Sequence, residues 1–168
     1  MISIELTEIK DFMNKLLRTD LFDHFLLSEA SITNAVNYTI NGHLNTSFFS
    51  TDELEERNLT GLDAAPFSML RNNCFELMKG KSTPFYFHFI FMLSPSNLKN
   101  TLEHIKSPFQ VSDIAGAYIN IRFQNQKLTC TTGVSYQIFS MDRSFEHEWD
   151  ELVLKFLKNH EISFDAIF

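Results

Sequence analysis

The stretch AYINIRFQNQKLTCTTGVSYQIF, residues 117–139, decides the fold. Ala117, Ile119, Ile121 and Phe123 alternate with Tyr118, Asn120, Arg122 and Gln124. Beyond Asn125-Gln126, Leu128, Cys130, Val134, Tyr136 and Ile138 alternate with Lys127, Thr129, Thr131, Ser135 and Gln137. A period of two on both sides of a short link is the pattern of paired antiparallel strands with one apolar and one polar face. A two-residue turn at Asn125-Gln126 sets Phe123 opposite Leu128, Ile121 opposite Cys130 and Tyr118 opposite Gly133. A slip of one residue would turn every apolar side chain to the wrong face, so the register is strongly specified. Tyr118 is expected to lay its ring over the bare backbone of Gly133.

Upstream, TPFYFHFIFML (83–93) places Phe85, Phe87, Phe89, Phe91 and Leu93 on one face, and Tyr86, His88, Ile90 and Met92 on the other. Both sets are largely apolar, which predicts a central strand covered on both sides. A helix follows, capped by Ser94 with Pro95 at its first position. Downstream, Phe145, Trp149, Leu152, Val153 and Phe156 form the buried stripe of a last helix. The tail 161–168 alternates again, with Ile162, Phe164, Ala166 and Phe168 in one parity. It is expected to pair with a sheet edge, of the same chain in preference to a second copy.

The N-terminal segment carries Ile9, Phe12, Met13, Leu16 and Leu17 at helical spacing, with Thr7 as the expected N-cap. Leu26, Ala30, Ile32, Val36, Tyr38 and Ile40 share a parity, and Asn41-Gly42 is a strong hairpin-turn signal with strands expected on both sides. Ser50 and Glu53 have capping-box spacing. Phe67, Leu70, Cys74, Leu77 and Met78 line one side of a further helix ending near Gly80. The expected fold is a single α+β domain over residues 1–168, a mainly antiparallel sheet with helices packed against it.

The segments KDFMNKLL, FDHFLLSEASI and INGHLN resemble a family of short proteins from clostridia-like Firmicutes, grouped as a domain of unknown function, most closely over the first 60 or so residues. The resemblance implies a bacterial cytoplasmic protein. It implies no activity and carries over no functional residue.

Composition narrows the classes. The chain has 168 residues, 18 of them Phe, and a net charge of -7. So much aromatic surface demands a large core or an interface. An acidic surface repels phosphate backbones, and the basic residues are scattered, so no nucleic-acid partner is expected. Neither a secretory signal nor an apolar run long enough to span a bilayer is evident, so the expectation is a cytoplasmic protein with no membrane partner. Cys74 and Cys130 form no CxxC pair and read as two buried free thiols.

Motifs of chemistry are sparse. GKST at 80–83 resembles the end of a phosphate-binding loop, but Phe75 stands where the earlier glycine belongs and the order is helix then strand. His147, Asp150 and Glu151 have partial metal-ligand spacing, yet acidic residues early in a helix are expected on electrostatic grounds. No cofactor, metal site or catalytic residue is assigned. The N-x-S/T triplets at Asn37, Asn45 and Asn58 carry no meaning without secretion. The best candidate surface is the polar side of the hairpin, where Tyr118 and Arg122, joined by Tyr86 and His88 if the 83–93 strand is the hairpin's neighbour, could hold a small anion. His88 itself reads as a neutral structural imidazole bonded to Tyr118 or to a hairpin threonine. The leading expectation for function is a non-enzymatic binding or interaction module, with an unknown protein partner or self-association. A small anionic-ligand domain comes second, and a hydrolase-like enzyme with a site assembled from distant residues third.

Overall fold

The computed structural model describes residues 1–166. In chain order the strands are β1 (Ser3–Leu6), β2 (Leu26–Thr33), β3 (Asn37–Asn41), β4 (Ala65–Pro66), β5 (Tyr86–Met92), β6 (Ile114–Gln124), β7 (Lys127–Tyr136) and β8 (Phe164–Ala166). The helices are α1 (Ile9–Arg18), α2 (Thr51–Glu56), α3 (Arg71–Met78), α4 (Pro95–His104) and α5 (Ser144–Asn159). All strands join one antiparallel sheet in the order β3-β2-β5-β6-β7-β1-β8, with β4 also on β2. This is the α+β architecture that the alternation predicted.

The β6–β7 hairpin has the register read from the sequence: Phe123 faces Leu128, Ile121 faces Cys130 and Tyr118 faces Gly133. Asn125 and Gln126 take φ 52° and 63°, the left-handed pair that a two-residue turn requires. Tyr118 departs from expectation in one respect. A Cβ added at Gly116 would lie 2.5 Å from the Tyr118 ring, whereas one at Gly133 would meet nothing within 4 Å. The ring therefore leans along its own strand over Gly116. Ile138 lies beyond the end of β7 and is 46% exposed, outside the core that its parity suggested.

One face of the sheet makes the core. Phe87, Phe89 and Phe91 of β5 are buried there with Ile119, Ile121 and Phe123 of β6 and Leu128 and Cys130 of β7. Phe22 stacks on Phe91 at 5.0 Å, Phe67 meets Phe91 edge-on at 5.0 Å, and Phe87 stacks on Phe123 at 5.2 Å. Each such ring contributes roughly 1.5–3 kcal/mol by leaving water. Phe12, Leu16 and Leu17 of α1, Cys74 and Met78 of α3, Leu98 and Leu102 of α4, and Phe145, Trp149, Val153 and Leu157 of α5 all enter this same cluster. These four helices therefore lie on one side of the sheet. The opposite residues of β5, Tyr86, His88, Ile90 and Met92, are half-exposed. β5 is central, between β2 and β6, but it is covered on one side only; aromatic and thioether side chains tolerate such a half-wet face, so their apolarity overstated its burial.

Four local readings change. Ser3–Leu6 forms a strand between β7 and β8, so the chain opens with β1 before α1. Glu8, not Thr7, precedes the helix, and it makes no side-chain capping bond. The Thr7 N–H instead donates to the Ser163 carbonyl at 3.1 Å, tying the start of α1 to the tail. Asn41-Gly42 is not a hairpin turn. The β2–β3 reversal lies at residues 34–36, where the Asn34 N–H donates to the Val36 carbonyl at 3.1 Å. Gly42 is buried against β2: its N–H donates to the Ser28 carbonyl at 2.9 Å, and a Cβ there would lie 1.7 Å from the Leu27 carbonyl oxygen. It is glycine because two backbones touch. Residues 65–69 form β4 and a short 3-10 turn before α3, leaving that helix shorter than its apolar pattern.

The capping box at Ser50 and the cap at Ser94 hold. Ser50 accepts from the Glu53 N–H while Glu53 accepts from the Ser50 N–H, and Ser94 accepts from the Asn97 N–H beside Pro95. In the tail, Ile162 is buried and β8 pairs with β1 of the same chain; Phe168 lies outside the described residues.

Candidate functional site

The uncovered side of the sheet is built by alternation and one bulge. In β2 the register shifts between Leu27 and Glu29, so Leu27 meets Phe91 on the core side while Glu29, Ser31 and Thr33 point outward. The pairings then align side chains into rows. Thr39, Ser31, His88, Arg122, Thr129 and Glu5 form one row across six strands. Asn41, Glu29, Ile90, Asn120, Thr131 and Ser3 form the next. Leu26, Met92, Tyr118 and Gly133 form a third, where Leu26 is buried rather than open to water. Hydroxyls, amides and an imidazole dominate, with Ile90 and Met92 near the middle.

The four residues singled out from sequence share this face but not one spot. His88 stands directly opposite Arg122. Tyr86 is two residues along β5 from His88, at the end nearest the Asn125-Gln126 turn. There it lines a hollow of about 730 Å³ with Thr33, Phe85 and Gln124. Tyr118 pairs with Met92, four residues along β6 from Arg122, hence about 13 Å away at strand rise. Tyr86, His88 and Arg122 thus form one end and Tyr118 the other.

His88 finds a different partner from either one expected. Its Nε2 lies 3.1 Å from Asn120 Oδ1, on the neighbouring strand and one row away. An amide oxygen only accepts, so Nε2 carries the proton and donates. Burial pushes the imidazole below its ordinary value of 6.5; the Asn120 bond opposes this, the Arg122 charge adds to it, and Glu29 opposes it. A neutral imidazole at the centre of the face follows. The signal that would have found Asn120 was already in the β6 alternation, where it shares the polar parity with Tyr118 and Arg122.

The other chemical candidates go elsewhere. Asp150 of α5 turns inward, accepting from the Thr132 hydroxyl and lying 3.0 Å from the Met1 ammonium, while His147 and Glu151 stay exposed. The three residues with metal-like spacing are therefore split between two sides of the helix. No group of three or more His, Cys, Asp or Glu side chains that could hold a metal occurs among the described residues. Cys74 and Cys130 are buried free thiols, and burial pushes both up to about 12, so they are protonated at neutral pH. No helix among the described residues is long and apolar enough to cross a membrane.

Fold and surface together define a class: an α+β protein whose helices seal one face of an antiparallel sheet and leave a hydrogen-bonding face open. The chain belongs to a family of unknown function, DUF5721, whose family model matches residues 15–165. No curated protein and no solved structure matches it.

Proposed function

We propose that this protein is a non-enzymatic interaction module, working in the cytoplasm of a bacterium of the clostridia-like Firmicutes, that uses its uncovered sheet face to bind a second copy of itself. One observation carries the reading: Ile90 and Met92, flanked by Tyr118 and the neutral His88–Asn120 pair, sit half-exposed on a face whose other positions are mainly polar. Aromatic and small hydrogen-bonding residues are those that adapt to a protein surface with little entropy loss. Charges occupy a few positions of both signs, Glu5, Glu29 and Asp165 against Arg122 and Lys127, so the face can be complementary to itself under a two-fold axis. Seven strands about 4.8 Å apart and about five residues of each give a flat footprint of about 500 Å². That is just under the roughly 600–1,000 Å² per partner of standard interfaces, before side-chain relief is added. Two buried thiols kept reduced support the cytoplasmic setting.

The test is sedimentation equilibrium at about 100 μM, a hundredfold above a dissociation constant of about 1 μM. Wild type is expected at twice 19.5 kDa, and Ile90→Glu, which places a charge at the face centre, at 19.5 kDa. A monomeric wild type refutes self-association, and an Ile90→Glu dimer refutes this face.

A further inference from the structure

On the opposite side of the molecule the helices leave a cleft of about 510 Å³ between α1, α3 and the 79–84 loop. Helix α1 builds it from two adjacent rows. Ile9, Met13 and Leu17 recur every four residues and face the floor; Lys10, Asn14 and Arg18, one residue on in each turn, make the rim. From the other side Phe75, Met78, Pro84 and Phe87 complete the floor, and Lys79, Lys81, Ser82 and Thr83 the rim. The GKST segment that fails as a phosphate loop is thus one lip of this cleft.

The charge distribution is uneven. The chain has 21 Asp and Glu against 14 Lys and Arg, yet the lining holds Lys10, Arg18, Lys79 and Lys81 and no acid. Lys79 is paired with Glu76 at 2.6 Å. Lys10, Arg18 and Lys81 make no ion pair among the described residues. The Arg18 guanidinium lies 5.6 Å above the Phe75 ring, poised over the edge of the floor. Cations gathered on an acidic protein, around an apolar floor, raise the local concentration of an anion and reward its tail for leaving water. The volume lies in the range of small-molecule sites. At about 30 Å³ per water-sized group it takes about 17 such groups, enough for a chain of about ten carbons and its carboxylate. Met13 and Met78 are flexible thioethers that fit an irregular chain, and the floor offers it little to hydrogen-bond.

We propose that this cleft binds a medium-chain fatty acid, the alkyl chain along Ile9, Met13, Met78 and Phe87 and the carboxylate at Lys10 and Lys81. This goes beyond the sheet-face reading and is independent of it, because the two surfaces share none of the residues on which either rests. A helical acidic peptide is the competing occupant; the compact volume favours the single chain.

Isothermal titration calorimetry of the full chain with decanoate, 1-decanol and acetate tests it. Decanoate is expected to bind saturably at one per chain, at least tenfold tighter than 1-decanol, with no detectable acetate binding. Lys10→Glu/Lys81→Glu, at two exposed positions, is expected to weaken decanoate at least tenfold while leaving the urea midpoint unchanged. Met13→Trp, which fills the cleft, is expected to abolish binding. Absence of saturable decanoate binding overturns the proposal, as do equal affinities for decanoate and 1-decanol, unchanged affinity in the charge-reversed double variant, or unchanged affinity in Met13→Trp.

Discussion

Three glycine-to-alanine substitutions separate close backbone contact from open surface. In Gly42→Ala the new Cβ would lie 1.7 Å from the Leu27 carbonyl oxygen, a backbone atom, and real Cβ contacts are essentially never under 3.0 Å. The two segments must part by at least the difference, about 1.3 Å, which stretches two hydrogen bonds that Gly42 now holds: its N–H to Ser28 at 2.9 Å, and its carbonyl from the Ala65 N–H at 2.8 Å. Losing both costs about 1–3 kcal/mol. Forced overpacking adds about 1–3 kcal/mol. The expected loss is therefore about 2–6 kcal/mol, a large share of the roughly 5–15 kcal/mol that holds a domain of ordinary size. Gly116→Ala meets the Tyr118 side chain first, 2.5 Å away, and that side chain can swing aside, so about 1 kcal/mol is expected, at the low end of overpacking. Gly133→Ala meets nothing within 4 Å and keeps an ordinary φ, so it is expected to be neutral or to stabilise by up to about 1 kcal/mol through the unfolded chain. Urea unfolding, followed by the far-UV signal, gives the order. A Gly42→Ala protein within about 1 kcal/mol of wild type, or less destabilised than Gly133→Ala, would show that the β3–β4 segment does not lie on β2 as described.

The remaining predictions concern the open face and the tail. His88 is held below its ordinary 6.5, chiefly by burial, so the unfolded chain takes up the proton first. Its contribution to stability is full above pH 6.5 and is lost as pH falls through the lowered value. The urea-midpoint difference between wild type and His88→Gln should therefore shrink from pH 7.5 to pH 5; a constant difference would mean that His88 is not buried beside Arg122. Ile162, which is 4% exposed, is expected to cost about 2–4 kcal/mol on substitution by Ala if β8 lies on β1 of its own chain. A loss under about 0.5 kcal/mol in the same urea assay would detach the tail from the core.

How far the sequence revealed the molecule depends on the range of the interaction involved. The β6–β7 hairpin was legible down to its register from Ala117 to Gln124 because the strands alternate there on either side of their turn; the register shift between Ile114 and Gly116 and the buried Thr132 were not. Helix caps at Ser50 and Ser94 were legible because a cap needs only three neighbouring residues. β1 was not, since four residues of alternation directly before a strongly amphipathic helix are too few to stand out. Asn41-Gly42 carried a true local preference for a turn that a non-local constraint overrode: only glycine lets the chain touch Leu27, and nothing within the pair announces that contact. The open face was half legible. Parity grouped Tyr86 with His88 and Tyr118 with Arg122, and the pairing of β5 with β6 puts the two sets on one side, but parity does not say which strands are neighbours or whether a second layer covers that side. The same gap hid the cleft. Its floor joins Ile9 and Met13 to Phe75, Met78 and Phe87, residues more than sixty positions apart that meet only because α1 and α3 seal the same face of the sheet. Both candidate surfaces follow from that one asymmetry: with α1, α3, α4 and α5 on one side, much of the sheet is left half-exposed on the other, and the groove between two of those helices is left open to water.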